Sequence, residues 1–296
     1  MDGLATSLVV ADRPYLRREH PLGLSGRTFY KMSGSGNDFV VFDARHEPAS
    51  ELGGEAIRRI CARGTGVGAD GVVFVEPSTS PRTAFRMRYV NSDGSPAMMC
   101  GNAALCVTRL AAEIGAGAAP GMVFESESGE VRARLTGKEQ AEVDLDPVPD
   151  PALDAGISLG PGERRIGYVK VGVPHLVVLC DNVETIDVVG RGRTLRGDRT
   201  LPEGANVNFV SSHGSSSWRI RTYERGVEGE TLACGTGAVA SAILLAAWGQ
   251  VRGAETSLEP RSGSSVSVRL EHRSNEWLPT LRGEGRLVYT GILVSP

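Results

Sequence analysis

Lysine is nearly absent from this 296-residue chain: Lys31, Lys138 and Lys170 are the only three, and arginine carries the remaining positive charge. Lys31 and Lys170 fall at matching places in apolar, strand-like segments, which reads as a structural role, so no lysine stands out as a Schiff-base anchor for pyridoxal phosphate. Long hydrophobic runs are also missing. The longest, Ala238 to Trp248, is well short of the roughly 18 to 20 residues that cross a bilayer. The first 26 residues carry Asp2 and Asp12 around a short apolar patch, Leu8 to Ala11. They lack the basic start and long apolar stretch of a secretory signal, and are expected to form a disordered leader on a cytoplasmic protein. No charge excess exists to attract nucleic acid or anionic lipid, since the formal net charge is -3. The five cysteines, Cys61, Cys100, Cys106, Cys180 and Cys234, make an odd set without CxxC spacing. That argues for reduced thiols over a disulfide framework or a zinc site. With 41% apolar and 23% charged residues, a soluble protein of about two domains acting on a small molecule is the natural expectation.

The chain says nearly the same thing twice. Tyr30 to Met32 leads through the Ser33 to Asn37 turn into the apolar run Phe39 to Asp43, and Tyr168 to Val171 leads through Gly172, Pro174 and His175 into Leu176 to Asp181. Phe85 to Tyr89 alternates apolar with charged and ends in Asn91-Ser92-Asp93-Gly94-Ser95; Trp218 to Thr222 does the same before Glu224-Arg225-Gly226. Asn91 lies nine residues before Cys100, and Glu224 ten before Cys234. Each cysteine is followed by glycine and opens a helical pattern, stopped by Gly115 and Gly249 respectively. Ala238 to Trp248 is apolar nearly all round, so that helix is expected to be buried. The pattern predicts an α+β fold of two pseudo-symmetric domains, each a mostly antiparallel sheet or barrel wrapped around a central helix. The expected bounds are 27–146 and 147–279, with strand 280–296 completing the first domain. The proline-rich stretch Asp146 to Pro151 marks the junction, and Pro161 and Gly162 open the second unit. The Arg191 to Arg199 cluster reads as a solvated loop. Gly64 to Gly68 reads as a turn into the strand Gly71 to Val75, since it lacks the Lys-Ser/Thr of a phosphate loop.

A thiol at a helix N-terminus meets unpaired backbone N–H groups and the positive end of the helix dipole, which should lower its pKa below the free value of about 8.5. Glycine directly after it lets the backbone approach a bound carboxylate. One Cys-Gly at a strand-to-helix junction is readily explained by the need for a small residue; two at equivalent places in a duplicated chain are not. Inverting a stereocentre by proton transfer requires a base on one face and an acid on the other. Cys100 and Cys234, one from each domain, supply that pair.

The segments Gly36-Asn37-Asp38-Phe39, Asn91 to Ser95, Cys100-Gly101-Asn102, Asn206-Val207, Glu224-Arg225-Gly226 and Cys234-Gly235-Thr236-Gly237 resemble those of diaminopimelate epimerase, from about Phe29 to the C-terminus. A lone CGTG would point only to the wider superfamily with proline racemase and the phenazine-pathway isomerase. The resemblance implies epimerisation of LL- to meso-diaminopimelate without metal or cofactor, with Cys100 and Cys234 as the acid/base pair. It implies substrate contacts at Asn37, Asn91, Asn206, Glu224 and Arg225, a backbone cradle at Gly101-Asn102 and Gly235-Thr236, and thiol tuning by His175 and Glu224. It admits a homodimer.

The chain departs from the family pattern in several places. Val173 stands where asparagine is usual before Pro-His; Ala103-Ala104-Leu105 follows Asn102 where glycine, another residue and arginine are common; Gly71 takes a place where some members have a substrate-contacting glutamine. The loop from Glu224 to Cys234 is one residue longer than in many members. These changes leave the inversion machinery intact while loosening the identity of the substrate's far end. Open alternatives are a cofactor-independent racemase of another amino acid such as histidine, a Cys234/His175 acyl-transfer hydrolase, a thiol redox protein, and a non-catalytic binding module. The hydrolase leaves Cys100 unexplained, and the redox reading lacks a local dithiol motif, the two cysteines being 134 positions apart.

Overall fold

The computed structural model describes residues 26–46, 53–97, 99–214 and 217–294; the expected leader lies almost wholly outside them. In chain order the first half comprises β1 (Thr28–Gly34), β2 (Asn37–Asp43), α1 (Gly54–Cys61), β3 (Gly71–Glu76), β4 (Arg86–Asn91), α2 (Gly101–Glu113), β5 (Gly121–Ser126), β6 (Gly129–Gly137) and β7 (Gln140–Asp144). After the short β8 (Val148–Pro149) come β9 (Glu163–Val171), β10 (Val173–Cys180), α3 (Val188–Arg196), β11 (Asn206–His213), β12 (Ser217–Glu224), β13 (Gly229–Thr231), α4 (Gly235–Ala247), β14 (Glu255–Glu259), β15 (Val266–Arg273), β16 (Glu276–Glu284) and β17 (Arg286–Ile292).

The repeat in the sequence is a repeat in strand pairing. β1–β2 is antiparallel, β2–β3 parallel, β3–β4 antiparallel, β4–β5 parallel, and β5–β6 and β6–β7 antiparallel. The second half runs through the same senses: β9–β10 antiparallel, β10–β11 parallel, β11–β12 antiparallel, β12–β14 parallel, and β14–β15 and β15–β16 antiparallel. β16 also pairs antiparallel with β7 and β8, and β17 with β1, so strands late in the chain bind the first half.

Side-chain character explains the layers. β2 and β3 are apolar on both faces and buried on both: Val41 and Val73 face the main core around α2, while Val40, Phe42, Val72 and Phe74 face a second layer closed by α1. β10 does likewise, with Val177 and Leu179 toward α4, and Leu176 and Val178 toward a third cluster holding Val188 and Leu195 of α3. β4 alternates, burying Met87 and Tyr89 and leaving Arg86 and Arg88 on the other face. The two central helices pack inside these sheets, α2 against β7 and β16, α4 against β9, β10 and β15.

Two readings require correction. Arg191 to Arg196 is helical, because Val188, Gly192 and Leu195 form a buried stripe and Gly192 lies against the Tyr223 ring; Arg191 also pairs at 2.8 Å with the buried carboxylate of Glu163. Lys31 and Lys170, alike in sequence, differ in setting. Lys31 is buried, with Nζ 2.6 Å from Asp38 and also donating to the Gly68 carbonyl, whereas the Lys170 side chain is about half exposed, 3.9 Å from Glu203.

Candidate active site

Cys100 and Cys234 are the N-cap residues of α2 and α4, both with extended backbone. The two helix starts face each other across Leu281 of β16. A Cβ on Gly101 would come within 2.9 Å of Leu281 Cδ2, and one on Gly235 within 3.4 Å of the same atom and 3.0 Å of Asn102 Oδ1. Glycine after each cysteine is thus needed for packing the two halves together as well as for any approach of a ligand.

Both thiols border one cavity of about 530 Å³. Of the twelve residues singled out in the sequence, ten line it: Cys100, Gly101, Asn37, Asn91 and Glu224 with Asn206, Arg225, Cys234, Gly235 and Thr236. Asn102 and His175 do not. Asn102 is buried behind the wall, where its Nδ2 donates to Asn37 Oδ1 at 2.7 Å while its Oδ1 has no partner; His175 is fully buried, with Nε2 unpartnered.

Behind α2 the polar support is ionic. Asn37 Nδ2 donates to Asp70 Oδ2 at 2.9 Å, Asp70 pairs with Arg63 at 2.7 Å, and Arg63 with Asp38 at 2.6 Å. Asp70 is a residue that sequence reasoning passed over; its neighbour Gly71 has no room for a side chain, since a Cβ there would lie 2.5 Å from the Tyr89 ring. Behind α4 the support is neutral. Asn208, also passed over, sits between His175 Nδ1 at 3.2 Å, the Leu176 carbonyl at 3.0 Å and the Thr222 hydroxyl at 3.0 Å. On the wall, Asn206 Oδ1 accepts from the Arg225 backbone N–H at 2.8 Å, and the Arg225 guanidinium donates to the Glu203 carbonyl at 2.7 Å. Lys170, exposed Val173, Tyr89 and Met99 are also among the lining residues.

The thiol acidities reverse the expectation drawn from the helix starts. Burial, with the Glu224 carboxylate adding to it, pushes Cys234 up to about 12, against hydrogen bonds from Thr236 and from the Gly237 N–H, whose nitrogen is 3.3 Å from Sγ. Burial likewise pushes Cys100 up to about 11; backbone N–H groups of Ala103 and Asn102 oppose it, and Glu224 and Asp70 reinforce it. Desolvation of a thiolate between two packed halves outweighs one turn of helix dipole. Burial also raises the Glu224 carboxyl, against a hydrogen bond from Thr231, and drives His175 down to about 3, with the Arg225 charge contributing, so that its imidazole is neutral. Among the described residues no helix is long and apolar enough to cross a membrane.

The family model for diaminopimelate epimerase matches residues 29–149 and 167–285. The diaminopimelate epimerase of Gemmatimonas aurantiaca is 47% identical over 274 residues, covering 89% of this chain and 98% of that one. The diaminopimelate epimerase of Aquifex aeolicus is 39% identical over 250 residues, covering 81% and 88%. Among solved structures, a hydroxyproline epimerase from Agrobacterium vitis superposes with a TM-score of 0.67 at 18% identity, over 90% of this chain and 91% of its own. A phenazine biosynthesis protein from Bacillus anthracis superposes at 0.68 and 16% identity, over 90% and 98%. At that identity these two establish the fold alone, while the sequence matches go further: the chain belongs to the diaminopimelate epimerase family.

Proposed function

We propose that this isomerase converts LL-2,6-diaminopimelate to the meso form by a two-base mechanism, in the synthesis of lysine and peptidoglycan precursors in the cytoplasm. The observation that carries this reading is the placement of two cysteine N-caps, from equivalent helices of a duplicated fold, on one cavity. One cysteine, as thiolate, removes the α-proton; the other, as thiol, delivers its proton to the opposite face. The thiol and thiolate have then exchanged places, ready for the reverse direction. Backbone N–H groups at the two helix starts hold the α-carboxylate and the charge that develops on it. The raised thiol pKa values fit this chemistry, because a thiolate desolvated by burial is a stronger base than one in water.

We assign the substrate's second amino-acid group to Asn91, Asn206 and Arg225, which line the cavity, and to Lys170, which also lines it and brings a positive charge that Val173 lacks. The reading extends to a homodimer. Among the described residues β17 pairs only with β1, and its exposed Tyr289 and Ile292 line a groove of about 850 Å³ with Phe29 and Leu293; such an edge invites a second chain.

NMR of LL-diaminopimelate in D₂O with reduced enzyme tests the reaction. Meso product deuterated at one α-carbon, lost in both Cys100→Ala and Cys234→Ala, is expected. No exchange with diaminopimelate but exchange at the α-carbon of another amino acid would move the substrate and keep the mechanism. No exchange with any amino acid would overturn both.

A further inference from the structure

His175 has a ring nitrogen at each end of a question: which one carries the proton decides whether it can act as a base or only as a donor. The answer lies in Asn208. Its side-chain Nδ2 is 3.0 Å from the backbone carbonyl of Leu176, which can only accept, so the NH₂ end of the amide faces that way and cannot be exchanged with the oxygen. The Oδ1 end then accepts from the Thr222 hydroxyl at 3.0 Å. The second hydrogen on Nδ2 points to His175 Nδ1 at 3.2 Å, which must accept it. Histidine, asparagine and threonine are all buried, so water offers Nδ1 no alternative partner.

We infer that Asn208 is a positioning residue that locks His175 in the neutral Nε2–H tautomer, so that His175 serves the site as a fixed hydrogen-bond donor and never as a proton store. His175 pairs in register with the cavity-lining Asn206, placing its ring on the α4 side of the sheet, just behind the cavity wall. Its Nε2, fully buried, has no acceptor in the protein. The hydrogen there is unpaired within the protein, on the sheet face that Asn206 shares with the cavity. The same geometry removes His175 as the base of a Cys/His hydrolase, because that role needs a free lone pair facing the thiol and an imidazole that takes up a proton. His175 accordingly takes no part in passing protons between substrate and the two thiols. This deepens the epimerase reading and rests on it for its functional half.

The test is ¹⁵N NMR of the full chain labelled at its five histidines, with the His175 signals assigned by their loss in His175→Gln. Wild type is expected to show an acceptor-type Nδ1 and a protonated Nε2 with no titration from pH 5 to 9. Asn208→Asp, which presents only acceptors, should move the proton to Nδ1, and Asn208→Ala should give mixed tautomers. Both should lower kcat by about tenfold with KM within about twofold, as expected for one misdirected hydrogen bond. A wild-type Nδ1–H tautomer, or an imidazolium at pH 6, overturns the assignment without reference to any substrate. An inverted tautomer in Asn208→Asp at undiminished kcat overturns its functional half. If Asn208→Asp does not fold, the wild-type spectrum and Asn208→Ala decide.

Discussion

Thiol reactivity gives the most direct check on the electrostatics of the site. With pKa values of about 11 for Cys100 and about 12 for Cys234, roughly one part in 10³ and one in 10⁴ respectively is thiolate at pH 8, against about a quarter of a free cysteine. The higher-pKa thiolates are intrinsically more nucleophilic, by roughly 10- to 40-fold at a Brønsted slope of about 0.45. The two effects leave Cys100 about 20-fold and Cys234 about 60-fold slower than free cysteine toward a small disulfide reagent. The assay is stopped-time labelling of the substrate-free enzyme, with each cysteine peptide quantified by mass spectrometry from pH 7 to 10. Each log rate should climb by one per pH unit without a plateau. Glu224→Gln should speed both, since the carboxylate raises both thiols. A plateau at either cysteine above an inflection near pH 7 would refute the argument that burial outweighs the helix dipole.

Three further outcomes follow from particular contacts. Gly237→Ala puts a methyl group onto Asn208 Oδ1, closer than a real Cβ approaches; overpacking and disturbed hydrogen bonds of about 3–5 kcal/mol exceed the ~1 kcal/mol gain in helix propensity, so urea unfolding should show a net loss of about 2–4 kcal/mol, and a more stable variant would contradict the placement. Lys170→Met should raise KM for diaminopimelate about fivefold at nearly constant kcat, a modest effect because the side chain is half exposed, with Lys170→Arg close to wild type; an unchanged KM in the methionine variant would exclude a distal role. Stability should fall on the alkaline side: burial raises Cys61 to about 11 and Cys180 to about 12, so their contribution is full below the unfolded thiol pKa of about 8.5 and is lost as pH rises through the folded values. The slope is up to about 1.4 kcal/mol per pH unit per thiol, and Cys180→Ala should make the decline in urea midpoint between pH 8.5 and 10.5 shallower.

How far the sequence could be read depended on whether the deciding contact was local. Phe39 to Asp43 and the alternating Phe85 to Tyr89 declare themselves because strand burial is written in the residues themselves, and they are strands β2 and β4. The duplication carried the pairing senses with it. The Arg191 region misled because its charged face outnumbers the few small and apolar residues, Val188, Gly192 and Leu195, that dock it on β12. Lys31 and Lys170 occupy matching segments yet face opposite environments, since only in the first half does an acidic partner, Asp38, stand in the paired strand to receive the ammonium. Asn208 was invisible for a different reason: an asparagine in an apolar strand has no motif of its own, and its partners come from two neighbouring strands.

The thiol acidities show where local reasoning fails in kind. A helix N-terminus is legible in sequence, and its dipole does favour an anion; the competing desolvation exists only once α2 and α4 are brought nose to nose around Leu281. The two halves match in backbone but not in what stands behind each cysteine. The Cys100 side is backed by charges, the chain from Asn37 through Asp70 to Arg63, and Asp70 bears on Cys100 itself. The Cys234 side is backed by the uncharged set of His175, Asn208 and Thr222, and the charge that bears on it is the Glu224 carboxylate, which bears on Cys100 as well. A symmetric scaffold lets either thiol meet its face of the α-carbon; an asymmetric polar backing lets the two titrate apart, so that one can hold the proton while the other lacks it. Mutual repulsion already splits the ionisation of two neighbouring thiols into two steps; the asymmetric backing fixes which of the two holds the proton.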